Sequence, residues 1–460
     1  MLIVKIQGLE GEHISMIKTE LLSTKENLIK TFLEDSIGRN EDLFHFIRLL
    51  NSITTTYSLA VDGNWGSGKT FFIKQAKMIL DAYNEYTQVE HELDDEDAKK
   101  ILLQWERINR NRIEVKNFVS VYFDAWEYDS DQEPIESLLY QISKDVSSEY
   151  KISSERNYID IALSIIELFT TKNYKVLLDD LKGSNIIERI EGNKNVQELI
   201  NNYFNDLLPE HGDRLIIFID ELDRCNPNYA VRLLERIKHY FNNEKITFVF
   251  SINKEQLRHT IKQHYGNDFN SYKYLDRFFD LTVNIPKLNM EKYYSCSGVH
   301  FEKETIEQMA MFLANKYNMQ MREVSRYLYA IDIATNMYGR TSNSVSTDFC
   351  NCFVLPIAMA LKQCDLDLYN DFIQGKAFDE FYSILSNEDF FYAISSVYLS
   401  KSFIDLEPQA RTHLKEFYDA IFNEKYVNEP YKNVGRARFS KQNKETLLNQ
   451  LGLLTEKSLF

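Results

Sequence analysis

Residues 63–70, with the sequence Gly-Asn-Trp-Gly-Ser-Gly-Lys-Thr, constrain the fold of this chain more than any other stretch. They fit the spacing G-x-x-x-x-G-K-[ST]. An apolar run precedes them at 57–61, and a run with helical periodicity follows at 71–80. A short strand, a glycine-rich turn and a helix in this order form a loop that wraps a polyphosphate. The stretch therefore predicts a nucleotide-binding loop.

The residue types in this loop indicate what it would bind. Glycines allow successive backbone N–H groups to curl around phosphate oxygens, and the following helix directs its positive end at the same charge. We expect Lys69 to reach the β- and γ-phosphates of ATP and the Thr70 hydroxyl to bind Mg²⁺. The predicted nucleotide-binding residues of the loop are Gly63, Asn64, Trp65, Gly66, Ser67, Gly68, Lys69, Thr70 and Phe71.

A second motif follows an apolar run at 214–219, which is typical of a strand buried on both faces of a parallel sheet. The run ends in Asp220 and Glu221. One carboxylate at such a strand end can hold the water shell of Mg²⁺, and a second can polarise the attacking water. We predict Asp220 as a metal ligand and Glu221 as the base of ATP hydrolysis. The alternative is two surface acids at a strand end.

Two further polar residues are predicted at the site. Asn253 follows the apolar run 246–252, so it would lie beside the Asp220 strand and could sense the γ-phosphate or orient the water. Its alternative role is to cap the next helix. Arg39 follows Gly38 in a turn upstream of the loop, where related ATPases often contact the base or ribose of the nucleotide. On its own, this turn is equally an ordinary link between helices.

Charge and cysteine content narrow the protein class. Lys and Arg number 53 against 69 Asp and Glu, a net charge of −16, which disfavours a protein whose main role is to bind nucleic acid. Five irregularly spaced cysteines favour free thiols in a reducing compartment over a disulfide framework or a zinc site. Without a leader or an uninterrupted apolar run of about 20 residues, we expect no membrane span and a cytoplasmic location.

The pattern along the chain predicts an α/β fold with a parallel five-stranded P-loop sheet of the ASCE type, helical insertions, a helical lid and a helical C-terminal domain. Insertions are expected at about 83–116, as a solvated acidic helix, and at about 150–200. The predicted domains are a strand and helices at 1–56, the nucleotide-binding core at 57–286, the lid at 287–340 and the C-terminal domain at 341–460.

The final stretch of the chain is locally basic. It could bind an acidic partner surface or nucleic acid, but a solvated terminus is the simpler interpretation. The basic residues concerned are Lys432, Arg436, Arg438, Lys441 and Lys444.

Four motifs in chain order resemble those of the KAP family of P-loop NTPases, over roughly residues 25–335. Trp65 precedes Gly-Ser-Gly-Lys, a strand ends in Phe-Asp-Ala-Trp at 123–126, and Asp-Glu-Leu-Asp-Arg-Cys follows at 220–225. The fourth, at 321–328, is similar to the family's lid helix, with methionine where proline is usual. Glu221 and Asn253 stand where many relatives have aspartate.

This resemblance, with that to the wider AAA+ and signal-transduction ATPases, implies roles for two arginines. Arg277, within Arg-Phe-Phe-Asp, matches an arginine finger that completes the site of a neighbouring subunit. Arg322 matches a lid arginine that contacts the γ-phosphate from the same chain. Each could instead pair or cap on a helix surface.

These features together predict an ATPase that binds and hydrolyses ATP with Mg²⁺ to switch its oligomeric or partner state. The family includes an animal membrane scaffold protein and a plasmid-borne phage-exclusion protein, so the resemblance implies a bacterial anti-phage defence system, a homo-oligomer and a separate effector protein. The alternatives are an ATP-binding scaffold with little turnover and a DNA-sensing or DNA-loaded ATPase. A P-loop kinase is disfavoured, because two adjacent acids favour water as the phosphate acceptor.

Overall fold

The computed structural model describes residues 21–87, 95–109, 113–150, 158–170, 194–339, 344–399, 409–423 and 431–453. It divides into two compact units. The first is Leu22–Tyr293, and the second begins at Tyr294. The strand predicted at the start of the chain lies outside the described residues.

A five-stranded sheet forms the centre of the first unit. Its order is β2-β3-β4-β1-β5, and each pair of neighbouring strands is parallel. The predicted α/β fold with a parallel five-stranded sheet is therefore confirmed. The strands are β1 (Tyr57–Asp62), β2 (Phe118–Asp124), β3 (Arg214–Asp220), β4 (Ile246–Ile252) and β5 (Leu281–Asn284).

Burial explains the sequence of the two central strands. Every residue of β3 and of β4 is buried. Both strands consist mainly of isoleucine, phenylalanine, leucine and valine, as is typical of a parallel sheet that is covered on both faces. Helices alternate with the strands along this part of the chain. They are α1 (Lys25–Glu34), α2 (Asn40–Ser52), α3 (Lys69–Tyr83), α4 (Asp95–Ile108), α5 (Pro134–Glu149), α6 (Tyr158–Thr170), α7 (Lys194–His211), α8 (Pro227–Tyr240), α9 (Lys254–Tyr265), α10 (Ser271–Leu275) and α11 (Met290–Cys296).

The two predicted insertions contribute to the core. Helix α4, expected to be solvated, buries Ile101 and Trp105, and the Trp105 ring lies 5.7 Å from that of Phe44 on α2. Residues four apart on a helix share one face, so an acidic helix can still pack through a narrow apolar stripe. In the second insertion, Tyr158 and Ile200 are fully buried in the main hydrophobic cluster.

The second unit is helical except for one antiparallel hairpin, in the part of the chain that the structure describes. The hairpin joins β6 (Lys432–Val434) to β7 (Ala437–Phe439). The basic stretch predicted as a solvated terminus is therefore folded. The helices are α12 (Glu304–Lys316), α13 (Met321–Gly339), α14 (Val345–Phe349), α15 (Leu355–Cys364), α16 (Leu366–Ile373), α17 (Phe378–Leu385), α18 (Glu388–Ile394), α19 (Ala410–Phe422) and α20 (Lys441–Leu453).

One described segment, Val345–Cys364, is long and apolar enough to cross a membrane by length and composition alone. It consists of α14, a π-helical turn at Cys350–Val354, and α15. Of its apolar window, 78% is buried inside the protein. The segment therefore has the burial of a core helix.

A buried ion pair joins α3 to α5. The ammonium of Lys77 lies 2.8 Å from a carboxylate oxygen of Asp81 and 2.8 Å from one of Glu149. Asp81 also accepts hydrogen bonds from the hydroxyls of Tyr150 and Ser120. A single cation is therefore shared by two acidic side chains that are almost completely buried.

Replacing Lys77 by methionine should destabilise the first unit by about 3 kcal/mol, because it leaves buried carboxylates without their cation. Urea unfolding followed by circular dichroism would measure this loss. The matched control is Lys74→Met on the same helix, whose ammonium lies 4.3 Å from the Tyr122 ring. That change should cost about 1 kcal/mol or less. Equal losses of unfolding free energy in both variants would contradict the role of Lys77 as the cation of a buried ion pair.

Candidate nucleotide-binding site

The predicted loop connects the end of β1 to the start of α3, and its backbone requires glycine. Gly66 and Gly68 have φ angles of +79° and +86°, in the left-handed region that glycine adopts without strain. A Cβ atom at Gly63 would lie 2.4 Å from the Ile285 side chain. The loop is therefore a close-packed backbone curve, as a phosphate cradle requires.

Lys69, the first residue of α3, is buried under this curve. Its ammonium donates to the backbone carbonyls of Gly63 at 2.8 Å and Asn64 at 3.2 Å. Burial lowers the pKa of Lys69, while the carboxylates of Asp223 and Asp220 oppose that shift. The cation thus lies at the centre of the loop, where phosphate oxygens can replace the carbonyls as acceptors.

Asp220, the last residue of β3, is almost completely buried. One of its oxygens accepts hydrogen bonds from the Thr70 hydroxyl at 2.6 Å and the Tyr122 hydroxyl at 3.0 Å. Its other oxygen accepts from the backbone N–H of Glu221 at 3.0 Å. A carboxylate beside a hydroxyl is the hard oxygen donor set that Mg²⁺ prefers, so the residues present fit this metal.

Glu221 has a left-handed backbone, with φ +58° and ψ +21°, which is uncommon outside glycine. Burial and the neighbouring Asp220 carboxylate raise the pKa of Glu221 to about 7, and Arg224, with which it forms an ion pair, opposes this shift. A carboxylate with a pKa near neutrality is suited to act as a general base.

Asn253 and Arg39 both contact the protein backbone. The Asn253 side chain accepts a hydrogen bond from the N–H of Gln256 at 3.1 Å and so caps α9. The buried Arg39 guanidinium donates to the carbonyls of Ser67 at 3.0 Å and Pro286 at 2.7 Å, and burial lowers its pKa to about 10. Arg39 therefore stabilises the loop through a hydrogen bond to its backbone. Contacts of either side chain with a nucleotide remain predictions.

The two predicted arginine contacts lie in different units. Arg277 is exposed in the turn between α10 and β5, and its side chain has no hydrogen bond or ion pair with the residues that the structure describes. Arg322 is exposed in the first turn of α13, in the second unit. Their roles at the phosphates stay predictions.

Sequence reasoning did not identify Tyr122, although it contacts the predicted metal ligand. The feature of the sequence that could have indicated it is a tyrosine between the apolar residues Val121 and Phe123 near the end of β2. Its hydroxyl could be placed only once β2 was known to pair with β3, which puts Asp124 opposite Asp220. The ion pair of Arg224 with Glu221 is likewise not indicated by the sequence, in which Arg224 is one residue of the motif at 220–225.

A comparison with family models identifies the family of this domain. A model of the KAP family P-loop domain matches residues 42–338, well over half of the chain. An uncharacterized protein of Methanocaldococcus jannaschii is 26% identical over 172 residues, covering 29% of this chain and 89% of that protein. The solved structure of the Aeropyrum pernix ORC2 protein in ADPNP–ADP complexes covers 95% of this chain and 96% of its own, at 10% identity and a TM-score of 0.28.

Tyr122→Phe should weaken Mg²⁺-dependent nucleotide binding by about tenfold, because a residue that orients a metal ligand typically contributes that much to metal affinity. Calorimetric titration of the nucleotide at several Mg²⁺ concentrations would measure the change. Binding without Mg²⁺ should stay the same. The control is Tyr128→Phe, whose hydroxyl donates to Gln141 instead of Asp220. An equal loss in both variants would remove Tyr122 from the site.

Proposed function

The chain belongs to the KAP family of P-loop NTPases, and we propose that it hydrolyses ATP with Mg²⁺ to switch its oligomeric or partner state. One observation carries the proposal. The Thr70 hydroxyl from the loop helix and the Asp220 carboxylate from β3 share a hydrogen bond of 2.6 Å, with Glu221 as the next residue. This contact supports a single site formed by the loop and the paired acids.

Binding depends on the loop and on the start of α3. The N–H groups of the loop and the positive end of α3 would bind the polyphosphate, and Lys69 would neutralise part of its charge. Thr70 and Asp220 would hold Mg²⁺, which would neutralise further charge on the phosphates. Arg39 keeps the loop in shape through the carbonyl of Ser67.

Hydrolysis depends on Glu221. Its carboxylate would take a proton from the attacking water as the water's oxygen bonds to the γ-phosphorus and the bond to the leaving phosphate breaks. The cap of α9 uses only the side-chain oxygen of Asn253, so its amide nitrogen can still donate to the γ-phosphate or the water. A capping role and a sensing role are therefore compatible.

An ATP-binding scaffold with little turnover is the second candidate. The observation that favours it is the ion pair between Glu221 and Arg224, which engages the proposed base. If that pair persists with ATP bound and keeps water from the carboxylate, the protein would hold ATP without hydrolysing it. Variants of Glu221 separate the two functions.

The cellular setting belongs to the same proposal. A cytoplasmic homo-oligomer acting with a separate effector in anti-phage defence is supported by the family resemblance. The exposed Arg277 supports an oligomer, because an arginine finger must be accessible to a second copy of the chain.

Glu221→Gln should bind ATP normally while its turnover falls by about 10²-fold, because glutamine keeps the size of glutamate but cannot accept a proton. If ATP drives assembly, this variant should accumulate as the ATP-bound oligomer. Phosphate-release assays and light scattering with ATP and Mg²⁺ would measure both effects.

Two controls accompany this prediction. Glu255→Gln alters an exposed glutamate that is also paired with an arginine three residues later, and it should leave turnover unchanged. Lys69→Ala should abolish ATP binding, which calibrates the assay. If wild type and Glu221→Gln show equal, negligible turnover and the same size in ATP, the switch is refuted and the scaffold remains.

Arg277→Ala should leave ATP binding nearly intact and lower turnover, because an arginine finger stabilises charge that develops in the transition state. Mixing it with Glu221→Gln should restore activity, since each variant supplies what the other lacks. Lys273→Ala on the neighbouring helix, also exposed, is the matched control. Mixtures that recover no activity, or an active monomer, would show that Arg277 does not act across an interface.

A further inference from the structure

Three side chains from distant parts of the sequence meet at the nucleotide-binding site. Trp65 belongs to the loop, Trp126 follows β2, and Arg224 follows β3. The guanidinium carbon of Arg224 lies 5.8 Å from the centre of the Trp65 ring and 5.5 Å from that of Trp126. We call this arrangement the Trp-Arg-Trp stack.

The stack lies at the protein surface. The side chain of Arg224 is 26% exposed, while Trp65 and Trp126 are 46% and 52% exposed. Tryptophan at such exposure forgoes part of the free energy that burial would provide. The third tryptophan of the chain, Trp105, is buried as usual. The two exposed rings therefore have a role other than filling the core.

Each member of the stack is anchored near the proposed base. The Trp65 indole N–H donates to Asp223 at 2.6 Å, and the backbone N–H of Trp126 donates to Asp124 at 3.1 Å. Arg224 forms its ion pair with Glu221, and the N–H of Arg224 donates to the carbonyl of Glu221 at 3.0 Å. The stack thus connects the loop, the end of β2 and the turn that carries Glu221.

Charge explains why Glu221 needs such support. The carboxylates of Asp220 and Asp223 repel its own, while the opposing cations are Arg224 and Lys69. Lys69 is engaged with the loop carbonyls, so Arg224 is the cation in direct contact with Glu221. A guanidinium can hold a carboxylate at its edge while its flat faces stack on aromatic rings, which an ammonium does less well.

We propose that Arg224, whose guanidinium lies near the rings of Trp65 and Trp126, is a positioning residue that fixes the Glu221 carboxylate for ATP hydrolysis. The inference rests on the proposed function and gives Arg224, Trp65 and Trp126 a role in it. The ion pair joins Nε of Arg224 to Oε2 of Glu221, so Arg224 acts directly on the proposed base. Displacing a catalytic group by about 1 Å can cost up to 10²-fold in rate, so loss of the guanidinium should slow turnover without weakening ATP binding.

The test compares Arg224→Ala with Arg258→Ala. Arg258 pairs with Glu255 three residues earlier and lies 5.5 Å from the Tyr272 ring, with 32% of its side chain exposed. Arg258→Ala therefore removes an ion pair and an arginine–aromatic contact of the same kinds, but away from the nucleotide-binding site. We expect Arg224→Ala to lower kcat by about 10- to 100-fold with KM for ATP within twofold. Arg224→Lys should recover part of kcat, and Arg258→Ala should match wild type.

Two further measurements separate positioning from a general structural role. In the absence of nucleotide, acrylamide should quench tryptophan fluorescence more strongly in Arg224→Ala than in wild type or Arg258→Ala, because the guanidinium no longer covers the two rings. Trp126→Leu should also lower kcat, and adding Arg224→Ala to it should lower kcat little further. Side chains that act through one carboxylate give such non-additive effects.

The outcomes separate this inference from the proposed function. A wild type that hydrolyses ATP, with Arg224→Ala within twofold in kcat, overturns the positioning role and leaves the ATPase intact. An increase in kcat in Arg224→Ala would also overturn the positioning role, because the ion pair would then hinder Glu221 as a base. Parallel loss of kcat and ATP affinity, unchanged quenching or additive effects would also refute it. A wild type without turnover overturns both proposals.

Discussion

The register of β4 with its two neighbours is the constraint on which the site depends. Ser251 of β4 lies opposite Val61 of β1 on one side and opposite Asp220 of β3 on the other. Because the strands are parallel, their carboxyl ends meet at one edge of the sheet, where open α/β sheets bind ligands. The hydrogen bond from Thr70 to Asp220 follows from this register. A shift of β4 by one residue would separate the loop from the acids.

Closely spaced charges of both signs lie at this edge of the sheet. Acidic side chains that would repel one another are gathered close to Lys69 and Arg224, and burial strengthens both the repulsion and the attraction. The carboxyl groups of Asp124, Glu221 and Asp223 have raised pKa values, in each case mainly because of burial. Such shifts are common where charged groups are arranged for chemistry. The left-handed backbone of Glu221 adds conformational strain at the same place.

The sequence allowed the sheet and the ends of its strands to be predicted, because long apolar runs and a glycine-rich loop depend on local residue types. Contacts between segments could not be predicted in this way. Tyr122 was recognised only after β2 was paired with β3. The hydrogen bonds of Arg39 to the carbonyls of Ser67 and Pro286 likewise join segments that lie far apart in the sequence. The fold of the basic C-terminal stretch was missed because its anchors, such as Phe439 packed near Phe349, are single apolar residues among charges.

The contacts of Arg39 and α1 with the loop and α3 bear on where the nucleotide-binding domain begins. The family match starts at residue 42, yet Arg39 donates to the carbonyl of Ser67, and Gln75 of α3 donates to Leu28 and Thr31 of α1. A shortened protein that starts at the family boundary would lack α1 and Arg39. It would retain each motif residue of the first unit but leave the loop carbonyl and the Gln75 amide without these partners. The contacts that support the loop and its helix therefore begin before the segment by which the family is recognised.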